Sequence, residues 1–303
     1  MSNPRRVLPQ CTQLVTRRTV EQRFLLRPSE EACAIFRYLI ALLAARHGVA
    51  VHAFVVLSNH LHLLKTDGQA EMPAFMRDLL AQATRRLNCV LGREGPLWDA
   101  RRYSSVEVHG EGAAWDKLVY VMTNPIKHGL VSRPEDWPGL ITLISEIRAG
   151  KVTVERPDLP CFKGSTLPEH VELELLPPPA LGHLSREEYA DQLERRVRER
   201  IRELNGLFLS SDKAPMGAER VLAADPNDRP VVHQEASGLD PRISSLEESS
   251  AYHRELLEEL KEWRRAYWEA RSRWSRDPRV EFPYGTYAMR VHYNARVAPP
   301  ARL

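Results

Sequence analysis

A chain of 303 residues, 43% hydrophobic and 27% charged, holds enough material for one large or two modest globular domains. Its longest apolar stretch, around Tyr38 to Ala45, is about half of what a bilayer needs, and Met1 runs into Pro4, Arg5 and Arg6 without the apolar core of a secretory leader. Membrane-spanning and secreted classes are therefore disfavoured, and a cytoplasmic location is expected. The net charge of +3 divides into about +5 over residues 1–150 and about −2 over residues 151–303. That imbalance is compatible with a polyanionic partner for the first half and equally with an ordinary solvated surface.

In chain order, Cys11 to Arg17 fits a first strand. Ser29-Glu30-Glu31 then opens a helix of about 18 residues that ends near His47-Gly48. Val49 to Leu57 and His60 to Lys65 read as two strands joined by the tight Ser58-Asn59 connection. Met72 to Leu91 repeats apolar residues at helical spacing through Phe75, Met76, Leu79, Leu80, Ala83, Leu87 and Val90. Tyr103 to His109 alternates as a strand, and a helix follows from about Ala113 to Thr123. This order predicts an α+β fold: a ferredoxin-like split βαβ with an antiparallel sheet, helices on one face and an extra helix behind it.

Past Trp137-Pro138 the texture changes. Pro-rich stretches at Pro157 to Pro160 and Pro177 to Pro179 accompany two charged helices, the first from Ser185 to a C-cap at Asn205-Gly206, the second from roughly Leu246 to Trp274. Asp225 to Arg242 is polar enough to be a loop. The expected division is therefore residues 1–148 as one domain and residues 149–303 as a mostly helical extension. The four cysteines, Cys11, Cys33, Cys89 and Cys161, form no Cys-x-x-Cys pair, which argues against a zinc ribbon and a disulfide framework.

The chemistry-bearing residues are few. His60 and His62 stand two apart on a strand and so share a face, which makes half of a metal site or a packed and a solvated histidine. Tyr120 lies four residues before Asn124 at the end of a helix, so one face could carry a phenol and an amide oxygen, although Pro125 biases Asn124 away from the α region.

The run Ser58-Asn59-His60-Leu61-His62-Leu63-Leu64, the segment Leu97-Trp98-Asp99-Ala100-Arg101-Arg102-Tyr103, and the run Tyr120-Val121-Met122-Thr123-Asn124-Pro125-Ile126-Lys127-His128-Gly129-Leu130-Val131 together resemble the tyrosine-type HUH transposases. Within that group the resemblance is nearest to the REP-associated tyrosine transposases, and it covers about residues 10 to 145. It implies metal-dependent nicking and rejoining of single-stranded DNA through a 5′-phosphotyrosine, with Tyr120 as nucleophile. It places the metal on His60, His62 and Asn124, the last at a position that is commonly Gln in related insertion-sequence enzymes. Ser58 stands where the family's usual run has proline.

The resemblance further implies Mg²⁺ or Mn²⁺, hairpin-forming single-stranded DNA from a repeat or element end, and a monomer or homodimer. Phosphate contacts are expected from Arg85, Arg86, Arg101, Arg102, Lys117 and Lys127, with Trp98 and Tyr103 stacking on unpaired bases. Two other readings compete: a DNA-binding or regulatory protein of the same fold without strand transfer, and a zinc hydrolase. The second is disfavoured by the lack of a nearby acidic or histidine cluster.

Overall fold

The computed structural model describes residues 4–211, 214–230, 242–245 and 250–300. Strand β1 (Cys11–Arg18) leads to helix α1 (Glu30–His47), then to β2 (Val49–Leu57), β3 (His60–Asp67), α2 (Met72–Val90), β4 (Ser104–Val108) and α3 (Glu111–Met122). Local chemistry sets these limits. The Ser29 hydroxyl accepts from the Ala32 amide and Gly48 closes α1 in the left-handed region, at φ 61°. The Asp67 carboxylate accepts from the Gln69, Glu71 and Met72 amides and so caps the approach to α2.

A five-stranded sheet runs in the order β2-β3-β1-β4-β7, where β7 is Arg242–Ser244. Its first four strands are antiparallel neighbours, as the split βαβ pattern requires. Helices α1 and α2 pack on each other over one face, and α3 crosses β2, β3 and β4 on the other. The fifth strand, β7 (Arg242–Ser244), is a correction to the all-antiparallel expectation: it pairs parallel with β4, opposite Val106 to Val108. Only three residues long, it carries no alternation that a sequence pattern could reveal.

Between α3 and β7 the chain forms the short turn α4 (Asn124–Lys127), α5 (Ile144–Ala149), a hairpin of β5 (Lys151–Glu155) and β6 (His170–Glu174), then α6 (Arg186–Ser210) and α7 (Ala218–Ala223). After β7 come α8 (Ala251–Trp274) and α9 (Tyr287–Tyr293). The expected stop of α6 at Gly206 does not occur; the helix continues to Ser210, and the Phe208 ring lies against Gly129. Residues 231–241 of the expected loop and Leu246, the expected start of the last helix, lie outside the described residues; α8 is capped by Ser250, which accepts from the His253 amide.

The main core does not stop at residue 148. Leu173, Leu175, Leu181, Tyr189, Leu193 and Leu204 share it with the sheet and with α1, α2 and α3. A separate small cluster joins Ala270, Val280, Phe282, Met289 and Ala295, and a third joins Ile243, Leu256 and Leu260. Among the described residues, no helix is long and apolar enough to cross a membrane.

Candidate active site

The register of β1 against β3 sets His60 across from Arg18 and His62 across from Thr16, so alternation brings these four side chains to one face. The two imidazoles meet at 4.8 Å between ring centroids, 88° apart. Each is held through Nδ1: the Thr16 hydroxyl lies 2.7 Å from His62 Nδ1, and the Asn59 side-chain oxygen accepts from His60 Nδ1 at 2.7 Å. A strand-held imidazole fixed at Nδ1 presents Nε2 in a defined direction. The Nε2 of His62 is buried and has no hydrogen-bond partner among the described residues.

Helix α3 lies over this face because Trp115, Leu118, Val121 and Met122 bury its inner side. That anchoring brings the Tyr120 ring to 5.3 Å from the His62 ring, at 80°. Pro125 then acts as its chemistry dictates. Without an N–H it cannot continue the ladder to Val121, so α3 ends at Met122, Thr123 leaves the helical region at ψ 7°, and Asn124 opens the separate turn α4. Asn124 nevertheless stays fully buried beside the Tyr120 hydroxyl, where it favours the phenolate, while neither its amide oxygen nor its amide nitrogen makes a hydrogen bond of ordinary geometry. His60, His62, Tyr120 and Asn124 are thus gathered in one place.

A third imidazole joins them. His128 follows α4, and its ring centroid is 6.0 Å from that of His60. Burial lowers the pKa of His62 to about 3, with help from His128 once that ring is protonated and from the Arg18 and Lys127 charges. His60 is held well below its ordinary value by burial and then by His62, and His128 is lowered by burial and by Lys127. All three are therefore neutral imidazoles at neutral pH, with lone pairs available. Tyr120 is pushed the other way: burial raises its pKa, and Asn124 and Arg18 oppose the rise in part. The Lys127 ammonium sits 4.7 Å over its ring.

Tyr120 lies between two hollows. One, of about 280 Å³, opens onto His62 and Tyr120 and is walled by Arg17, Arg18, Arg101, Arg102 and Lys117 among others. The second, of about 420 Å³, separates α3 from α6 and is lined by Lys127, Arg196 and Arg200. Of the expected DNA contacts, Arg101, Arg102, Lys117 and Lys127 accordingly face these hollows.

The other four line neither hollow. Arg85 is exposed on α2, which covers the opposite face of the sheet. Arg86 is buried, with its guanidinium 4.3 Å over the Phe162 ring and bonded to Gln82. Trp98 is buried against Phe36 and donates its Nε1–H to the Leu80 carbonyl at 3.0 Å. Tyr103 donates to the Met72 sulfur at 2.9 Å, and Arg5 covers its ring at 4.1 Å. These last three side chains are engaged within the fold.

Thr16, Arg18, His128 and Arg242 belong to this region and were not anticipated. Alternation along β1, once paired with β3, would have found Thr16 and Arg18, and His128 stands within the run that contains Tyr120 and Asn124. No sequence signal marks Arg242. As a test of fit for a divalent ion, the donor set is two neutral imidazoles and one amide oxygen, with the His62 nitrogen and the Asn124 amide buried and unmatched. Such orphaned buried donors suit a cation. No cluster of three or more His, Cys, Asp or Glu that could hold a metal occurs among the described residues, so the amide is needed to make a third ligand.

Among solved structures the chain is similar to a REP-associated tyrosine transposase bound to a REP hairpin, at 23% identity and TM-score 0.41, over 50% of this chain and 87% of that one. It is also similar to a Deinococcus radiodurans R1 protein assigned as a transposase, at 19% identity and TM-score 0.29, over 39% of this chain and 93% of that one. A third similarity is to the tRNA(His) guanylyltransferase of Saccharomyces cerevisiae, at 11% identity and TM-score 0.32, over 43% and 64%. No family model and no curated protein matches the chain.

Proposed function

We propose that this protein nicks and rejoins single-stranded DNA, with Tyr120 as the nucleophile. The observation that carries the reading is the juxtaposition of the Tyr120 ring, 5.3 Å from the His62 ring, with two buried and unmatched polar groups, His62 Nε2 and the Asn124 amide. A fold retains unmet buried donors at a cost of about 1–3 kcal/mol each, and an ion or substrate atom that satisfies them explains why they are there.

In the proposed reaction the Tyr120 oxygen attacks the scissile phosphorus and loses its proton. The bond from phosphorus to the 3′ oxygen breaks, and that oxygen takes up a proton. The products are a 5′-phosphotyrosine and a free 3′-OH, and attack by a 3′-OH reverses the step, so no bond energy is spent on water. His60, His62 and Asn124 would hold Mg²⁺ or Mn²⁺, and such an ion, when bound, neutralises charge that develops on the phosphoryl oxygens. The chain's own residues do the rest. Thr16 and Asn59 orient the two imidazoles, Asn124 favours the phenolate, and the cations around the cavity hold the strand. Hairpin-forming single strands are the substrate class that the sequence motifs imply.

The test is incubation of the full chain with hairpin-bearing single-stranded DNA and Mn²⁺ or Mg²⁺, with Tyr120→Phe alongside. A covalent protein–DNA adduct is expected in the wild type and absent in the variant. Cleavage that survives Tyr120→Phe overturns the reading. Binding by both proteins without cleavage favours a DNA-binding role without strand transfer.

A further inference from the structure

We propose that the C-terminal strand β7 completes the cavity beside Tyr120 as a seat for unpaired DNA, with Arg242 contacting a backbone phosphate next to the scissile one. The inference rests on the nicking reading for the identity of the strand. Its physical basis is separate and begins with register. Val106 pairs with Leu14 on one side and with Arg242 on the other, and Leu14 pairs with Leu64. Laterally paired residues project to the same face of a sheet, so Arg242 shares a face with His60, His62, Thr16 and Arg18, and its side chain lines the cavity.

The next residue shows why the strand is fixed there. Ile243 points to the opposite face and is buried with Leu256 and Leu260 of α8, while the His109 amide donates to the Ser244 carbonyl. The strand is thereby tied to β4 along one edge and to α8 through Ile243. A strand anchored through its central residue holds Arg242 over the cavity.

Charge identifies the occupant. Among the described residues, the cavity walls carry six cationic side chains, those of Arg17, Arg18, Arg101, Arg102, Lys117 and Arg242, and one carboxylate, that of Asp99. That carboxylate is already occupied by Arg101, at 2.9 Å. So dense a concentration of like charge attracts a polyanion. At about 280 Å³ the space accepts a ligand of nucleotide size and excludes a duplex.

The test uses the full chain carrying Tyr120→Phe, in EDTA, so that nicking cannot occur, and compares a labelled oligothymidylate with a blunt duplex of equal length across a salt series. Adding Arg242→Ala is expected to weaken oligothymidylate binding roughly tenfold, the size of one charge-assisted hydrogen bond. The slope of log affinity against log salt should fall by about 0.7, the value for one phosphate on a single strand. Duplex binding should stay unchanged, and Arg242→Lys should keep most of the slope. Unchanged oligothymidylate binding, an equal loss on duplex, or a parent chain that binds no oligothymidylate each overturns the proposal. Because these readings need neither metal nor adduct, absence of nicking in the wild type would leave the seat standing while the nicking reading falls.

Discussion

His52 and His62 are both buried on neighbouring strands of one sheet, and both imidazoles are driven neutral by burial, to about 4 and about 3. Their surroundings differ completely. His52 donates through Nδ1 to the Leu176 carbonyl at 2.7 Å and accepts at Nε2 from the Thr66 hydroxyl at 2.7 Å, which in turn meets the Thr12 hydroxyl at 2.7 Å. Every polar atom in that chain is matched, and its ends tie β1, β2 and β3 to the segment after β6. His62 is matched only at Nδ1. Burial and a shifted pKa therefore do not separate a fully bonded histidine from a candidate ligand; the bonding of the second nitrogen does.

That contrast breaks most sharply under substitution. His62→Ala is expected to lower nicking of single-stranded DNA by about a thousandfold or more, the scale of several kcal/mol of charge stabilisation, while leaving the melting temperature unchanged or raised. His52→Ala is expected to do the reverse. It should cost about 3 kcal/mol of stability through broken buried hydrogen bonds and a cavity, with the nicking rate of the folded fraction retained. Chemical denaturation and single-turnover nicking on the two variants check both. A His52→Ala chain that is fully stable but inactive would erase the distinction.

How much of this was legible beforehand depends on range in the chain. The Ser29 cap, the Gly48 stop and the alternation of β3 are local, and the observed α1 and the shared face of His60 and His62 match what those patterns predict. Packing partners distant in sequence leave no local pattern. Arg86 and Trp98 have the composition of DNA contacts, yet Phe162 and Leu80 claim them. The break between α3 and α4 was signalled by Pro125, whereas the burial of Asn124 after that break was not. Strand β7 is defined only by its pairing with β4, so no pattern within Arg242–Ser244 announces it.

Acid sharpens the same comparison with a smaller effect. An unfolded histidine takes up a proton near 6.5, whereas folded His52 does so only near 4, so the unfolded chain binds more protons between those values. Stability from His52 is thus complete above about pH 6.5 and falls as the pH drops towards 4, by up to about 3 kcal/mol for a shift of this size. Denaturant midpoints measured across that window in wild type and His52→Ala should converge at the acid end. A constant gap between them would contradict the assignment.

The smallest expected effect concerns Tyr120, whose pKa is raised chiefly by burial. Nicking that needs its phenolate should accelerate as the pH rises through the neutral range. Lys127→Met, which removes the ammonium 4.7 Å over the ring, should slow nicking about two- to fivefold and shift the rise to higher pH. A rate independent of pH in both proteins would show that deprotonation of Tyr120 does not limit the step.

The central claim is that the unmatched nitrogen of His62 is a metal ligand, and titration of Mn²⁺ into the full chain, followed by its electron paramagnetic resonance, tests it most directly. Wild type should bind a single Mn²⁺ at this site, and His62→Ala should lose that binding. Equal Mn²⁺ stoichiometry and affinity in the two proteins would contradict the account.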